Sequence, residues 1–144
     1  MKILISGSHG LVGKALVRSL VEDGHEVVRL IRRGHTIGEL QIEWHPNQGR
    51  IDAQHLEGFA AVVHLAGESI ASGRWTGEKK RSIRDSRVKG TTLLSEAIAE
   101  LSRPPAVFIS ASAIGYYGNR GDEELTETSP PGNDFLASVC VEWE

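Results

Sequence analysis

The stretch that most constrains this chain is Gly7-Ser8-His9-Gly10-Leu11-Val12-Gly13, which sets three glycines three residues apart near the start of the sequence. Before it, Lys2 to Ser6 is a short, largely apolar run of the kind a buried strand needs. After it, Leu11, Val12, Ala15, Leu16, Ser19 and Leu20 recur at helical spacing up to Gly24, a helix stop. Glu26 to Ile31 is a second β-rich run, ended by Arg32-Arg33-Gly34. Strand, helix and strand within about 30 residues is the size of one parallel βαβ unit.

The glycines have separate physical tasks in such a unit. Gly7 lets the chain turn sharply off the strand, Gly10 leaves space for a pyrophosphate to reach the backbone, and Gly13 lets the helix pack closely on the sheet. The free amides and positive end of the helix then face the anion. A glycine triad alone is a weak signal, but here a strand precedes it and a helix follows. The expected ligand is a dinucleotide held by Gly7, Gly10, Leu11, Val12 and Gly13. An acidic residue at the end of the second strand would bind the ribose 2′-hydroxyl of NAD, whereas arginine there suits a 2′-phosphate. The sequence has Leu30-Ile31-Arg32-Arg33 and no Asp or Glu at that end. Ile31, Arg32 and Arg33 therefore join the cofactor set, and NADP(H) is favoured over NAD(H).

Further along, Gln41 to Trp44 reads as a short strand and residues 45–58 as loop or irregular chain. Ala60 to Leu65 is the next strand, closed by Ala66-Gly67, and Leu65, Ala66 and Gly67 would border the cofactor at its carboxyl end. His64 is expected to pack or hydrogen-bond rather than catalyse. A helix is expected over about Glu78 to Leu101, a strand over Ala106 to Ser110, a long loop over 115–133 with Pro130 and Pro131, and a further helix from Asp134. Strands alternating with helices predict an α/β fold with a doubly wound parallel sheet, the Rossmann arrangement, over one domain spanning residues 1–144. Four or five strands are placed where such a sheet has six, so the chain is expected to be an N-terminal portion, with the substrate domain absent and the sheet incomplete at its C-terminal side.

On the long helix, Ile83, Arg87, Thr91, Leu94, Ile98 and Leu101 share one face. Arg87 is the odd member, because a buried guanidinium needs an anionic or multiply hydrogen-bonding partner, and a bound phosphate or ribose would serve. The remaining composition mainly excludes. A net charge of −3 gives no electrostatic reason to expect nucleic acid or a membrane as partner. One cysteine, Cys140, excludes an internal disulfide and a cysteine-rich metal site. A cytoplasmic location is the default expectation.

Several segments resemble the extended short-chain dehydrogenase/reductases, and most closely an atypical branch, the epimerase family of nucleoside-diphosphate-sugar epimerase-like proteins. They are Leu65-Ala66-Gly67-Glu68-Ser69-Ile70, Arg74-Trp75-Thr76, Asp85-Ser86-Arg87, Ser110-Ala111-Ser112-Ala113-Ile114-Gly115-Tyr116-Tyr117-Gly118 and Ser129-Pro130-Pro131-Gly132. The resemblance implies acid–base chemistry beside a hydride carrier, using a serine, a Tyr-x-x-x-Lys pair and a helix asparagine. Ser112 falls at the serine position. Leu136 stands in the tyrosine's place, Cys140 in the lysine's and Arg87 in the asparagine's. Leucine exchanges no proton, so one of the two tyrosines on the loop just after Ser112, Tyr116 or Tyr117, is the candidate stand-in, Tyr116 first. The resemblance also implies a small-molecule substrate and pairing of subunits as a homodimer. A non-catalytic NADP(H) sensor or scaffold, or an inactive fragment, is the alternative that the missing pair leaves open.

Overall fold

The structure, a computed structural model, describes residues 1–32 and 40–144. Arg33 lies outside the described residues. The chain divides into two compact units, Met1–Ser110 and Ala111–Glu144.

The first unit carries β1 (Lys2–Ser6), α1 (Leu11–Glu22), β2 (Glu26–Ile31), β3 (Gln41–His45), β4 (Arg50–Ile51), β5 (Ala61–His64), α2 (Gly77–Ala99) and β6 (Val107–Ser110). The strands form one sheet in the order β4-β3-β2-β1-β5-β6. All neighbours run parallel except β3 and β4, which pair antiparallel through Trp44↔Ile51 and His45↔Arg50. β4 was not anticipated, because two residues are too short a run to show period-2 alternation. The region read as loop over 45–58 also holds two 3-10 turns, Pro46–Gln48 and Ala53–Leu56.

Alternation along β1 explains why the sheet is wound on both faces. Leu4 turns to one side and joins Val28, Leu30, Trp44, Leu56, Phe59 and Val62 against Leu94, Ala97 and Ile98 of α2. Ile3 and Ile5 turn to the other side and join Val63 against Val17, Leu16 and Leu20 of α1. Side chains two apart on a strand share a face, so a strand buried on both faces is apolar through its middle, as Ile3, Leu4 and Ile5 of β1 and Val62 and Val63 of β5 are, while Ser6 and His64 are buried polar residues at the strand ends. The expected face of α2 is also present: Ile83, Leu94 and Ile98 are buried, with Arg87, Thr91 and Leu101 partly so. This is the doubly wound Rossmann sheet that the alternating pattern predicts.

The second unit contains a 3-10 turn, Ile114–Tyr117, and α3 (Phe135–Trp143), which pack on each other. Asp134 caps α3 by accepting from the Ala137 amide at 2.8 Å. The long loop expected over 115–133 thus begins inside an ordered turn. Its far end is held in place as well: the Gly132 amide donates to the Tyr116 carbonyl at 2.8 Å. A side chain at Gly132 would bring its Cβ within 2.8 Å of the Gly118 Cα.

Candidate functional site

In an open parallel sheet, ligands bind beyond the carboxyl ends of the strands where the winding reverses. Here that point lies between β1 and β5. β1 leads through α1 to β2 on one side, and β5 leads through α2 to β6 on the other. The glycine turn stands at this point. Gly7 has φ +67°, and a Cβ there would lie 2.6 Å from the Leu65 carbonyl carbon and oxygen and 2.8 Å from the Ala66 amide nitrogen. No other residue type fits both the conformation and the gap. A Cβ at Gly13 would lie 2.2 Å from the Gly7 carbonyl oxygen, so α1 packs on its own entry turn.

Gly10 behaves differently. Its φ is −72°, and a Cβ there would meet one atom within 4 Å, the Gly7 carbonyl oxygen at 3.3 Å. The space beside it is open. Gly10 is also the N-cap of α1, with no side-chain hydrogen bond to the helix end. The other two helices are capped by side chains, α2 by Thr76 and α3 by Asp134. The amides of the first turn of α1 have no intrahelical partner, so this helix tip is a ready anion site. Leu11 and Val12 in that turn are exposed, at 92% and 64%. The turn, with a bare cap and an open glycine, fits the diphosphate of a dinucleotide.

The wall opposite the turn is the end of β5. Ser6, the last residue of β1, is fully buried, and its Oγ accepts from the amides of Leu65 (3.1 Å) and Ala66 (3.2 Å). The same Oγ lies 2.6 Å from Nδ1 of buried His64. His64 is therefore the packed, hydrogen-bonding residue expected from sequence, and desolvation by burial lowers its pKa to about 4. Ser6 was not singled out beforehand. Its signal was available: a hydroxyl residue ends an otherwise apolar strand, next to the first glycine.

Beyond β5, the guanidinium of Arg87 lies flat against Gly67, where a Cβ would sit 3.2 Å from Cζ. Its Nη1 donates to the carbonyls of Glu68 and Ile83, both at 3.1 Å. The Glu68 amide donates to Ser86 Oγ at 2.9 Å, and the Glu68 carboxylate takes Lys79 Nζ at 2.6 Å. Lys79 Nζ also reaches Ser72 Oγ at 2.8 Å, and Trp75 Nε1 donates to the Ile70 carbonyl at 2.9 Å. Three separate sequence segments, around Glu68, Trp75 and Ser86-Arg87, thus meet in one network that ties the loop after β5 to the start of α2. Glu68, Lys79 and Ser86 were missed as members of it. Spacing alone cannot show that residues 18 apart share a hydrogen bond. On the β2 side, Arg32 is exposed at the strand end, and Ile31 before it is buried.

In the second unit, Ser112, Tyr116 and Tyr117 line a cavity of about 530 Å³ together with Ala113, Ile114, Glu127 and Glu144. Ser112 Oγ donates to the Glu144 carboxylate. Tyr116 and Tyr117 meet edge to face, with ring centroids 5.1 Å apart. Leu136 packs against Gly115, whose added Cβ would lie 3.4 Å from the Leu136 Cβ. Cys140 is buried, with Sγ 3.8 Å from the Ala113 carbonyl oxygen. Leu136, in the place of the expected tyrosine, therefore packs, and Cys140, in the place of the lysine, is a buried thiol that donates to a backbone carbonyl. Among the described residues, no cluster of His, Cys, Asp and Glu is arranged to hold a metal, and no helix is long and apolar enough to cross a membrane.

The strand order, the winding point and the bare helix tip define the class: a Rossmann fold with the glycine turn of a dinucleotide-binding sheet. The chain belongs to the NAD dependent epimerase/dehydratase family, whose model matches residues 3–138. It is 43% identical over 142 residues to epimerase family protein Mb2239 of Mycobacterium bovis, an alignment covering 99% of this chain and 46% of that protein. Its fold matches the human epimerase family protein SDR39U1 (isoform 2) solved with NADPH, with a TM-score of 0.84 at 29% identity over 99% of this chain and 47% of that one. It also matches a short-chain dehydrogenase/reductase superfamily protein of Agrobacterium tumefaciens with bound NAD, with a TM-score of 0.78 at 26% identity over 99% of this chain and 42% of that one. The chain spans about half the length of the curated relatives it matches.

Proposed function

We propose that this chain binds NADP(H) across the crevice between β1 and β5 and serves a reductase, dehydratase or epimerase reaction on a small carbonyl or sugar-nucleotide substrate. The observation that carries this reading is the uncapped tip of α1 beside the open face of Gly10. The amides of Leu11, Val12 and Gly13 hold the diphosphate, and the positive end of the helix favours its charge. Leu65, Ala66 and Gly67 form the opposite wall, with Arg87 holding the loop that follows. Arg32, together with Arg33, takes the 2′-phosphate; the neighbour solved with NADPH supports that preference, and the one solved with NAD is its rival. When bound, the nicotinamide ring supplies a hydride acceptor or donor. Ser112 and Tyr116 orient a substrate oxygen and exchange its proton. A second reading, a cofactor-binding protein without turnover, draws on Leu136 and Cys140 standing where a proton-exchanging pair is expected.

Calorimetry tests the binding half. The chain is expected to bind NADPH, and replacing Arg32 and Arg33 together by alanine is expected to weaken NADPH at least tenfold, about 1.4 kcal/mol, while leaving NADH nearly unchanged. Equal losses for both cofactors would remove the phosphate assignment. Turnover of NADPH with a panel of aldehydes and ketones tests the other half. Ser112→Ala is expected to lower kcat on the order of a hundredfold with KM for NADPH unchanged. If the full-length protein consumes no NADPH with any carbonyl offered, the non-catalytic reading stands.

A further inference from the structure

The buried Ser6–His64 pair does more than fill space, because its hydrogen bonds can be arranged in one way only. A backbone amide can only donate, so the Ala66 amide and the Leu65 amide, which Ser6 Oγ shares at 3.1 Å with the Ser6 carbonyl oxygen at 3.3 Å, occupy both lone pairs of Ser6 Oγ. The Ser6 hydroxyl hydrogen must then go to His64 Nδ1, 2.6 Å away. His64 is consequently the tautomer that accepts at Nδ1 and carries its proton on Nε2. That Nε2 is buried with no hydrogen-bond partner among the described residues. The ring is held from two further sides. Trp44 meets it edge-on at 5.8 Å and 86°, and α2 approaches so closely at Gly90 that an added Cβ would lie 3.7 Å from Nε2 and Cε1 and 3.4 Å from Trp44. The imidazole thus packs beside both α2 and Trp44.

We propose that His64 is a positioning residue for the dinucleotide: by accepting the Ser6 hydroxyl hydrogen it aims both Ser6 lone pairs at the Leu65 and Ala66 amides, and so sets the width of the crevice at the glycine turn. This rests on the cofactor reading above. The link to the crevice is direct, since the backbone held by Ser6 is the same backbone that touches Gly7, with the Leu65 carbonyl 2.6 Å from where a Gly7 Cβ would stand. A burial role alone would ask only for volume at position 64. The positioning role asks for an acceptor at the Nδ1 position, directed at Ser6. A buried group that leaves one of its own polar atoms unpaired incurs a desolvation cost, and the Ser6 bond gives that cost a use.

The two roles are separated by substitutions that keep size or keep the acceptor. His64→Leu keeps apolar volume and loses the acceptor, whereas His64→Asn keeps an amide oxygen near the Nδ1 position and loses volume. The expected result is that His64→Leu and Ser6→Ala each weaken NADPH at least tenfold by calorimetry, at a temperature where circular dichroism shows them folded. His64→Asn is expected to stay within about threefold of the unmodified chain. The Ser6→Ala/His64→Leu double variant is expected to lose no more than either single change, because both remove the same link. Amide hydrogen exchange gives a readout that needs no cofactor: Leu65 and Ala66 are expected to exchange at least tenfold faster in His64→Leu, with Leu4 and Ile5 unchanged. If His64→Leu does not fold, Ser6→Ala and His64→Asn carry the same comparison. The proposal is overturned if folded His64→Leu binds NADPH as the unmodified chain does, if the two single losses multiply, or if Leu65 and Ala66 exchange no faster. Failure of the unmodified chain to bind NADPH or NADH would instead defeat the cofactor reading, and this proposal with it.

Discussion

Gly13→Ala is expected to cost the fold about 2 kcal/mol, and Gly10→Val is expected to cost it little while abolishing NADPH binding. The two glycines are three residues apart in one turn, so the contrast isolates what each position does. At Gly13 the added methyl would stand 2.2 Å from the Gly7 carbonyl oxygen and 2.8 Å from the Ser8 Cα, both backbone atoms that no rotamer change can move aside. Relief requires α1 to lift from the turn, which separates Val17 and Leu16 from Ile3, Ile5 and Val63. Overpacking of this kind costs up to about 3 kcal/mol and more where backbone must move, against about 1 kcal/mol that alanine returns by helix propensity. At Gly10 the φ of −72° admits valine, and among the described residues the one near atom, the Gly7 carbonyl oxygen at 3.3 Å, has to give by only a few tenths of an ångström. Its side chain would fill the space a diphosphate needs. Urea unfolding read by circular dichroism measures the first effect and calorimetry with NADPH the second. Should Gly13→Ala melt with the unmodified chain, the contact between α1 and the turn is wrong. Should Gly10→Val bind NADPH normally, the diphosphate does not lie there.

That contrast marks where sequence reasoning reaches and where it stops. The strand, glycine turn, helix and second strand over residues 2–31 were legible because each carries a local signal: an apolar run, a fixed glycine spacing, a 3.6-residue period. The same holds for the long helix, expected over Glu78–Leu101 and found as Gly77–Ala99. β4 and the 3-10 turns were not legible, since two to four residues hold barely one turn or alternation and so cannot show a repeat. In the candidate site, the turn at Gly7 and the close packing at Gly13 were readable because both are set by backbone geometry close in sequence. Arg87 was readable as an anomaly on an apolar face, but its partners, the carbonyls of Glu68 and Ile83, were not. Ser6 and His64 are 58 residues apart, and only the β1–β5 register, Ser6↔His64, brings them side by side. Long-range pairing is a property of the sheet order, and no window along the chain contains it.

Lowering the pH from 8 to 4 is expected to destabilise the fold by roughly 3 kcal/mol through His64 alone. Desolvation by burial holds this imidazole near pKa 4, below its ordinary 6.5. The neighbours that face it are Ser6, Trp44 and Gly90, none of which offers a negative charge to favour the cation. Above pH 6.5 the ring is neutral in both the folded and unfolded chain, and its titration makes no difference to stability. Between about 6.5 and 4 the unfolded chain takes up a proton that the folded chain refuses, so stability falls as pH falls. Below about 4 both states are protonated and this contribution levels off. The gap in pKa, at about 1.4 kcal/mol for each pH step of one, gives the stated size. Protonation at Nδ1 would also put a donor where Ser6 needs an acceptor, so the first backbone amides to loosen should be those of Leu65 and Ala66. Urea unfolding at a series of pH values, repeated with His64→Asn, isolates the term: the difference between the two curves should open below pH 6.5 and flatten near 4. Parallel curves across that whole range would mean that His64 titrates as an ordinary exposed imidazole, and the buried, neutral ring on which the Ser6 bond depends would not exist.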